Sequence, residues 1–298
     1  MIAILSIDQK WATPLQVGAQ YQIHSCFTHA LNLIDQEGQF ATFLSAGFPD
    51  GPHTLRVNRL PKATLEALQK AEIPLQYQEI DGKGAFIAPG LSFSFNDATT
   101  YWESELPVLD WKSQSQRDIK QSLDASLQLA QSLLPARAFD DRVMQYIYET
   151  LNLQSRALIE AIAHNNAPEV AQLATKQIGL GMGLTPSGDD FLVGMMLILW
   201  LNPTRYQSLL AQLQVTIEDS RTHTNEISWW MLNYAVSGRF NGWLQEYAKA
   251  LVSSDLSAQR TVLTQILTIG SSSGSDMVMG IVAGLQVLLK DNAIQDRK

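Results

Sequence analysis

The sequence has little cysteine, no basic run and no long apolar run. Its single cysteine, Cys26, excludes a disulfide within the chain and leaves a thiolate metal site without ligands. Aspartate and glutamate outnumber lysine and arginine by 29 to 21, and no basic run reaches five residues, which argues against a nucleic-acid-binding surface. The longest apolar run, residues 191–201, is about half the length of a membrane span. We therefore expect neither a nucleic-acid partner nor a membrane partner.

Several common catalytic and targeting patterns are also missing. No two of the five histidines have i, i+4 spacing on a predicted helix, so a histidine-based zinc site has little support. No Gly-Lys-Ser/Thr follows the glycines at 179–183, and no Gly-x-Ser-x-Gly surrounds Ser187, which excludes a Walker A loop and a hydrolase elbow. Residues 1–8 are too short and too uncharged for a signal peptide, so we expect a cytoplasmic protein.

The apolar content of 46% and charged content of 17% are typical of a globular protein. Residues 1–110 contain short strand-like segments, with a hairpin turn predicted at 36–38 between strands at 24–33 and 39–45. Residues 111–298 carry helical periodicity in nine segments. The sequence therefore predicts an α+β protein, with a small N-terminal β-rich sandwich or barrel (1–110) and a larger all-helical C-terminal domain (111–298).

The most informative segment is the glycine-rich stretch at 179–190, which reads Gly-Leu-Gly-Met-Gly-Leu-Thr-Pro-Ser-Gly-Asp-Asp. Pro186 suits the first turn of a helix, and the hydroxyl of Ser187 or the carboxylate of Asp189 suits a cap. A glycine-rich loop that enters a helix presents free N–H groups and the positive end of the helix dipole, which favours an anion. The alternative is a tight turn between packed helices, with Asp189 and Asp190 only stabilising the first helical turn.

A second segment repeats this pattern. Residues 187–194 and 273–280 both read Ser-Gly-x-Asp, then three apolar residues, then glycine, and both enter an apolar helix. Gly194 and Gly280 follow Asp190 and Asp276 by four positions, on the same helical face. The repeat predicts two related helix starts that converge on one pocket, with Asp190 and Asp276 within roughly 10 Å of each other. Chance similarity between two helix starts is the alternative.

Between the two repeats, residues 220–228 combine an arginine, hydroxyls, an imidazole and a carboxylate at a predicted helix start. Arg221 could clamp a phosphate or carboxylate through two hydrogen bonds, and Thr222 or Thr224 could donate to the same group. We expect this segment to border the same pocket. The alternative is ordinary capping, with Thr224 as N-cap and Glu226 in the first turn.

These patterns define a hypothetical site for a small anionic substrate. Its catalytic carboxylates would be Asp189, Asp190 and Asp276, of which Asp190 and Asp276 could instead hold a cation such as Mg²⁺. The remaining candidates would bind the substrate: Gly181, Gly183, Thr185, Ser187, Gly188, Arg221, Thr222, His223, Ser273 and Gly274.

The segments at 179–194 and 271–280 resemble the signature motifs of the AllH-type subunit of oxamate carbamoyltransferase. Residues 24–27, 51–57 and 101–102 resemble N-terminal landmarks of that family, so the resemblance covers most of the chain. It implies a role in anaerobic allantoin and purine catabolism, where oxalurate and phosphate are interconverted with oxamate and carbamoyl phosphate. It also implies partner subunits of the AllF (FdrA) type and the AllG type. A non-catalytic assembly or metabolite-binding subunit is the alternative.

Overall fold

The computed structural model describes residues 1–109, 116–136 and 141–295, and the side chains of 116 and 292–295 are left out of that description. The chain divides into two compact units, Met1–Ser104 and Glu105–Lys298. The first contains a β-sheet and the second is helical, which confirms the predicted α+β class. The predicted boundary between residues 110 and 111 lies outside the described residues.

The N-terminal unit is a closed ring of β-strands, and the structure describes all of its residues. Its strands are β1 (Ile2–Asp8), β2 (Gln20–Cys26), β3 (Ala30–Asp35), β4 (Phe40–Ser45), β5 (Thr54–Val57), β6 (Leu75–Ile80), β7 (Lys83–Ala88), β8 (Leu91–Ser94) and β9 (Thr100–Trp102). The order is β5-β4-β3-β2-β6-β7-β8-β1, and β1 also pairs with β5, so eight strands close a barrel. β9 pairs with β1. Two helices belong to this unit, α1 (Gln9–Ala12) and α2 (Lys62–Lys70).

Aromatic side chains fill the core of the barrel. Phe43, Phe86 and Phe93 are fully buried. The ring centroid of Phe43 lies 5.1 Å from those of Phe86 and Phe93, in edge-to-face arrangements that aromatic rings favour. Because side chains alternate between the two faces of a strand, a closed ring can bury one face of every strand.

The sequence predictions for this unit are partly confirmed. The hairpin at 36–38 joins β3 and β4, which pair antiparallel. The strand-like stretches predicted within 24–33 are confirmed, but the turn between them was missed: β2 ends at Cys26 and the chain turns back into β3, with Phe27 N–H donating to Ala30 O at 2.8 Å. No glycine or proline marks this turn, so its apolar residues read as a continuous strand. Residues 1–8, considered above only as a targeting segment, contain β1.

The second unit contains nine α-helices within its described residues, as predicted. They are α3 (Gln116–Leu133), α4 (Arg142–Ala163), α5 (Ala167–Gln177), α6 (Ser187–Leu199), α7 (Pro203–Asp219), α8 (Glu226–Val236), α9 (Gly242–Val252), α10 (Leu256–Ile266) and α11 (Ser273–Gln295). A 3₁₀ helix, Arg221–His223, lies between α7 and α8. In the described part of the chain, no helix is both long enough and apolar enough to cross a membrane.

Asparagine and aspartate caps begin most of these helices. Each accepts a hydrogen bond from a backbone N–H of the first turn, and the caps are Asp141, Asn166, Asn202, Asn225, Asn241 and Asp255. Helix α6 differs, because its N-cap is Pro186, which makes no side-chain cap bond. All thirteen residues of α6 are buried, so this helix forms the centre of the unit.

Candidate functional site

The glycine-rich loop before α6 is closed by its own backbone. Gly179, Gly181 and Gly183 have φ values of 79°, 136° and 93°, a region that favours glycine. The N–H of Gly188 donates to Leu180 O at 2.8 Å, and the N–H groups of Asp189 and Asp190 donate to Pro186 O. The predicted cap by Ser187 or Asp189 is therefore wrong, because backbone bonds close this helix start and Pro186 precedes the helix instead of entering its first turn.

Asp189 anchors the loop to the start of α8. Its Oδ1 accepts from Gly179 N–H at 2.8 Å, and its Oδ2 accepts from the hydroxyls of Thr224 at 2.5 Å and Ser228 at 2.6 Å. The side chain is fully buried. Burial raises the pKa of the Asp189 carboxyl, and the hydrogen bonds from Ser228, Thr224 and Gly179 oppose that rise. Both oxygens therefore have a structural use, and the catalytic role of Asp189 stays a prediction.

The segment at 221–224 borders this anchor. A side chain at Gly179 would place its Cβ 1.9 Å from His223 O, so loop and segment touch backbone to backbone. The alternative of Thr224 as the cap of α8 is wrong, since Asn225 is the cap and the Thr224 hydroxyl donates to Asp189. Ser228, which the sequence analysis did not single out, shares this role. The sequence feature that could have identified Ser228 is its i, i+4 spacing from Thr224, which places both hydroxyls on the same side of the helix start.

The guanidinium of Arg221 lies over the ring of Trp229, with 4.2 Å from Cζ to the ring centroid. This cation–π contact occupies one face of the guanidinium. The 3₁₀ helix that carries Arg221, Thr222 and His223 is exposed. The assignment of these three residues to an anion site therefore stays a prediction.

The second Ser-Gly-x-Asp segment lies directly beside the first. Ser273 begins α11, and its Oγ is 2.8 Å from Oγ1 of Thr185 in the glycine-rich loop, a hydrogen bond between two hydroxyls. The N–H of Gly274 donates to Ile269 O, and that of Asp276 donates to Ser272 O. The prediction that the two helix starts converge is confirmed in this respect.

The crossing of α6 and α11 is reciprocal. A Cβ on Gly194 would lie 1.9 Å from Met277 O, and a Cβ on Gly280 would lie 2.0 Å from Phe191 O. Met277 occupies the same place in the second segment as Phe191 does in the first. In each contact, therefore, the glycine of one segment touches the carbonyl oxygen at the same position of the other segment. Such an exchange is the signature of a local two-fold axis. The repeat in the sequence therefore corresponds to a repeat in space, and chance similarity does not explain it.

Asp190 and Asp276 lie in the first turns of α6 and α11, and both are fully buried. Within the described part of the chain, neither carboxylate oxygen of Asp190 makes a hydrogen bond of ordinary geometry. Burial raises the pKa of Asp190 well above its usual value, and the negative charges of Asp276 and Asp189 raise it further. The nearby hydroxyls of Ser273 and Thr185 oppose this shift. A neutral carboxyl is the form that this environment favours.

The remaining predicted residues divide into two groups. Ser187, Gly188 and Gly274 are buried in the helix starts, and a Cβ on Gly188 or Gly274 would lie 2.0 Å from a carbonyl oxygen of the preceding helix. Gly181 and Gly183 lie on the accessible part of the loop. For the cation hypothesis, no group of three or more His, Cys, Asp or Glu side chains is arranged to hold a metal ion among the residues that the structure describes.

Family models match both parts of the chain. The model described as the AllH family N-terminal domain matches residues 3–100, and the one described as oxamate carbamoyltransferase subunit AllH matches residues 177–285. The chain belongs to the AllH family. The first match coincides with the barrel. The second begins at the end of α5 and contains the starts of both α6 and α11. No solved structure matches this AllH chain.

Proposed function

We propose that this AllH chain is a subunit of an oxamate carbamoyltransferase and that its two converging helix starts form part of the substrate site. The observation that carries the proposal is Asp190, a fully buried carboxyl whose oxygens make no hydrogen bond of ordinary geometry in the described chain and whose pKa is raised further by the charge of Asp276. Burying such a group without a partner is costly, and active sites retain such costs. The family model that matches 177–285 covers both carboxylates.

The reaction would interconvert oxalurate and phosphate with oxamate and carbamoyl phosphate. The C–N bond of the carbamoyl group breaks, a C–O bond to phosphate forms, and the proton that phosphate loses reaches the departing oxamate nitrogen. Each substrate is an anion, and the carbonyl oxygen gains charge in the transition state. Backbone N–H groups at a helix start are suited to both charges.

The exposed part of the glycine-rich loop is the proposed binding surface. The backbone N–H groups of residues 181–184 donate no backbone hydrogen bond within the described part of the chain. No atom lies within 4 Å of where a Cβ of Gly183 would be, so a ligand can approach the backbone there. Thr185 and Ser273 would border the ligand, and Arg221 would approach it only by leaving Trp229. Mg²⁺, if required, would arrive with the phosphate.

Partner subunits would contact the same loop. Met182 and Leu184 are 62% and 50% exposed, which is unusual for apolar side chains beside a proposed site. We propose that subunits of the AllF (FdrA) and AllG types cover them and that the complex works in the cytoplasm in allantoin and purine catabolism. The two predicted domains, 1–110 and 111–298, would then fold separately within one subunit.

A second candidate function is a non-catalytic assembly subunit. Asp189 uses both of its oxygens in structural hydrogen bonds, and Asp190 and Asp276 have no exposed surface in the isolated chain. A substrate could not contact them in the isolated chain unless the surrounding residues moved. These observations favour a subunit in which Asp189 and the hydrogen bond between Thr185 and Ser273 hold the helix starts in place.

Reconstitution with purified AllF- and AllG-type subunits separates these functions. If the chain contributes to the site, Asp190→Asn and Asp276→Asn should each abolish carbamoyl transfer while the complex still assembles. Asp219→Asn, on the exposed end of α7, is the matched control and should leave transfer unchanged. A double Asp190/Asp276 variant that restores full activity would contradict a catalytic role and support the assembly role.

A further inference from the structure

Helix α4 carries an exposed apolar face. Its side chains Val143, Tyr146 and Leu153 are 55%, 67% and 71% exposed. Among the helices that the structure describes, no other carries more than one exposed large apolar side chain. Single exposed apolar residues are common on protein surfaces, whereas several on one helix face indicate a surface that binds a partner.

Two opposite charges lie beside this apolar face. Tyr146 and Leu153 are seven residues apart, so they lie on nearly the same side of α4, about 10 Å apart along its axis. Glu149 and Arg156 are exposed and are rotated from Leu153 in the same direction, by about 40° and 60°. None of the ion pairs between described residues uses either charge. We call these four residues the α4 surface.

We propose that the α4 surface binds a second copy of this chain, with the two α4 helices packed antiparallel about a two-fold axis beside Leu153. In this arrangement, a residue before Leu153 faces a residue of the second copy that follows Leu153 by a similar number of positions. Glu149 is four positions before Leu153 and Arg156 is three positions after it. Each Glu149 therefore meets Arg156 of the second copy.

The positions of the two charges support the antiparallel pair. A two-fold axis between antiparallel helices brings each side of the apolar face against the same side in the second copy. Because Glu149 and Arg156 share a side, two pairs of opposite charge form, one on each side of the axis. In a parallel pair, each charge would face its own counterpart and repel it. The surface is thus complementary to itself in one orientation only.

The uncharged residues of this helix face agree with the same arrangement. Leu153 would meet its own counterpart at the axis, and Tyr146, a residue type that is enriched in interfaces, would lie farther out. Thr150 and Ala157 lie on the side away from the charges, three positions before Leu153 and four after it. They would face each other across the axis, and their small size permits close approach of the helices. An apolar centre with a charged rim is typical of protein interfaces.

The size of the surface sets the strength of the dimer. Helix α4 has 22 residues and is about 33 Å long and about 10 Å wide. One such face is smaller than the roughly 800 Å² per partner of a standard stable interface. We therefore expect a weak dimer that dissociates on dilution, and its detection requires a series of protein concentrations.

Sedimentation velocity of the full-length chain between about 1 μM and about 1 mM tests the proposal. The dimer fraction should rise with concentration, and Leu153→Glu should raise the dissociation constant at least 10-fold. Val215→Glu, at an equally exposed apolar residue of α7, is the matched control and should leave the dimer unchanged. Circular dichroism verifies that both variants fold. A wild-type chain that stays monomeric throughout would overturn the proposal, as would a Leu153→Glu chain that dimerises like the wild type.

Charge reversal tests the antiparallel pairing independently of Leu153. Glu149→Arg and Arg156→Glu each place like charges opposite each other, so each variant alone should dimerise at least 10-fold more weakly than the wild type. An equimolar mixture should regain the dimer, because one chain then presents two arginines and the other two glutamates. Added salt should weaken this mixed dimer. A mixture that dimerises no better than its components would overturn the pairing.

A partner subunit of the AllF or AllG type is the other possible occupant of the α4 surface. An isolated chain that stays monomeric, together with a Leu153→Glu chain that no longer assembles with these subunits, would assign the surface to them and refute the dimer. The sedimentation tests need no carbamoyl transfer, so they decide this proposal whether or not the proposed function holds.

Discussion

The starts of α6 and α11 have the same four-residue pattern, but they are held in different ways. The loop before α6 spans residues 178–186 and the loop before α11 spans 267–272, so the first is three residues longer. Position x of Ser-Gly-x-Asp is Asp189 in the first and Ser275 in the second. Asp189 gathers three donors and fixes the longer, glycine-rich loop. The comparison shows that a carboxylate at this one position links the first helix start to α8, a link that the serine of the second helix start cannot make in the same way.

The largest expected loss of stability comes from disrupting the reciprocal contact between α6 and α11. Gly194→Leu places a side chain where Met277 O stands, so the free energy of unfolding should fall by about 3 kcal/mol or more. Gly280→Leu should cost a similar amount, because Phe191 O lies in the equivalent place. Chemical denaturation followed by helical circular dichroism measures both. Gly47→Ala, with no atom near its Cβ position, is the control, and equal tolerance of all three changes would refute the reciprocal crossing.

A smaller loss of stability is expected from replacing Asp189, the residue at which the two Ser-Gly-x-Asp patterns differ. Asp189→Ala leaves the donors of Gly179, Thr224 and Ser228 without their acceptor, which should cost about 2–3 kcal/mol. Ser275→Ala is the matched change in the other start and should cost less than about 1 kcal/mol. Denaturation curves compare the two. Equal losses would contradict the special role of Asp189.

The raised pKa of Asp190 can be tested through the pH dependence of the free energy of unfolding. Its pKa in the folded chain is raised above the unfolded value of about 3.9, so its contribution to stability is complete below that pH and is lost as pH rises through the folded pKa. The loss amounts to about 1.4 kcal/mol per pH unit within this window. Asp190→Asn removes it, so the variant should gain stability relative to the wild type as pH rises. Parallel pH profiles for the two proteins would contradict the raised pKa.

The smallest effect is expected at the segment that borders only the first start. Arg221→Met removes the stacking of the guanidinium on Trp229 and should lower stability by less than about 1 kcal/mol, since the contact is exposed. In the reconstituted complex, a rise in KM for the anionic substrate would assign Arg221 to the site. An unchanged KM would leave it a packing residue.

The sequence predicted features that depend on local pattern and repetition. Helical periodicity located the nine helices, and the repeated Ser-Gly-x-Asp pattern predicted that two helix starts would converge, which the hydrogen bond between Thr185 and Ser273 confirms. The pattern could not show which carboxylate of the Asp189–Asp190 pair accepts structural hydrogen bonds, because that depends on donors 35 and 39 residues further along the chain. The closure of the barrel by β1 and β5 escaped prediction for the same reason, since pairing across fifty residues leaves no local signal.

The reciprocal contact between α6 and α11 has a consequence for how this protein can change over time. In a dimer of identical chains, a substitution at a two-fold contact appears on both sides at once, so the two sides cannot diverge. Here both sides belong to one chain, and each codon can vary alone. Phe191 and Met277 already differ at equivalent places, and Asp189 and Ser275 differ beside the buried carboxyls. Within one chain, a residue of one helix start can therefore be substituted while its counterpart in the other stays unchanged.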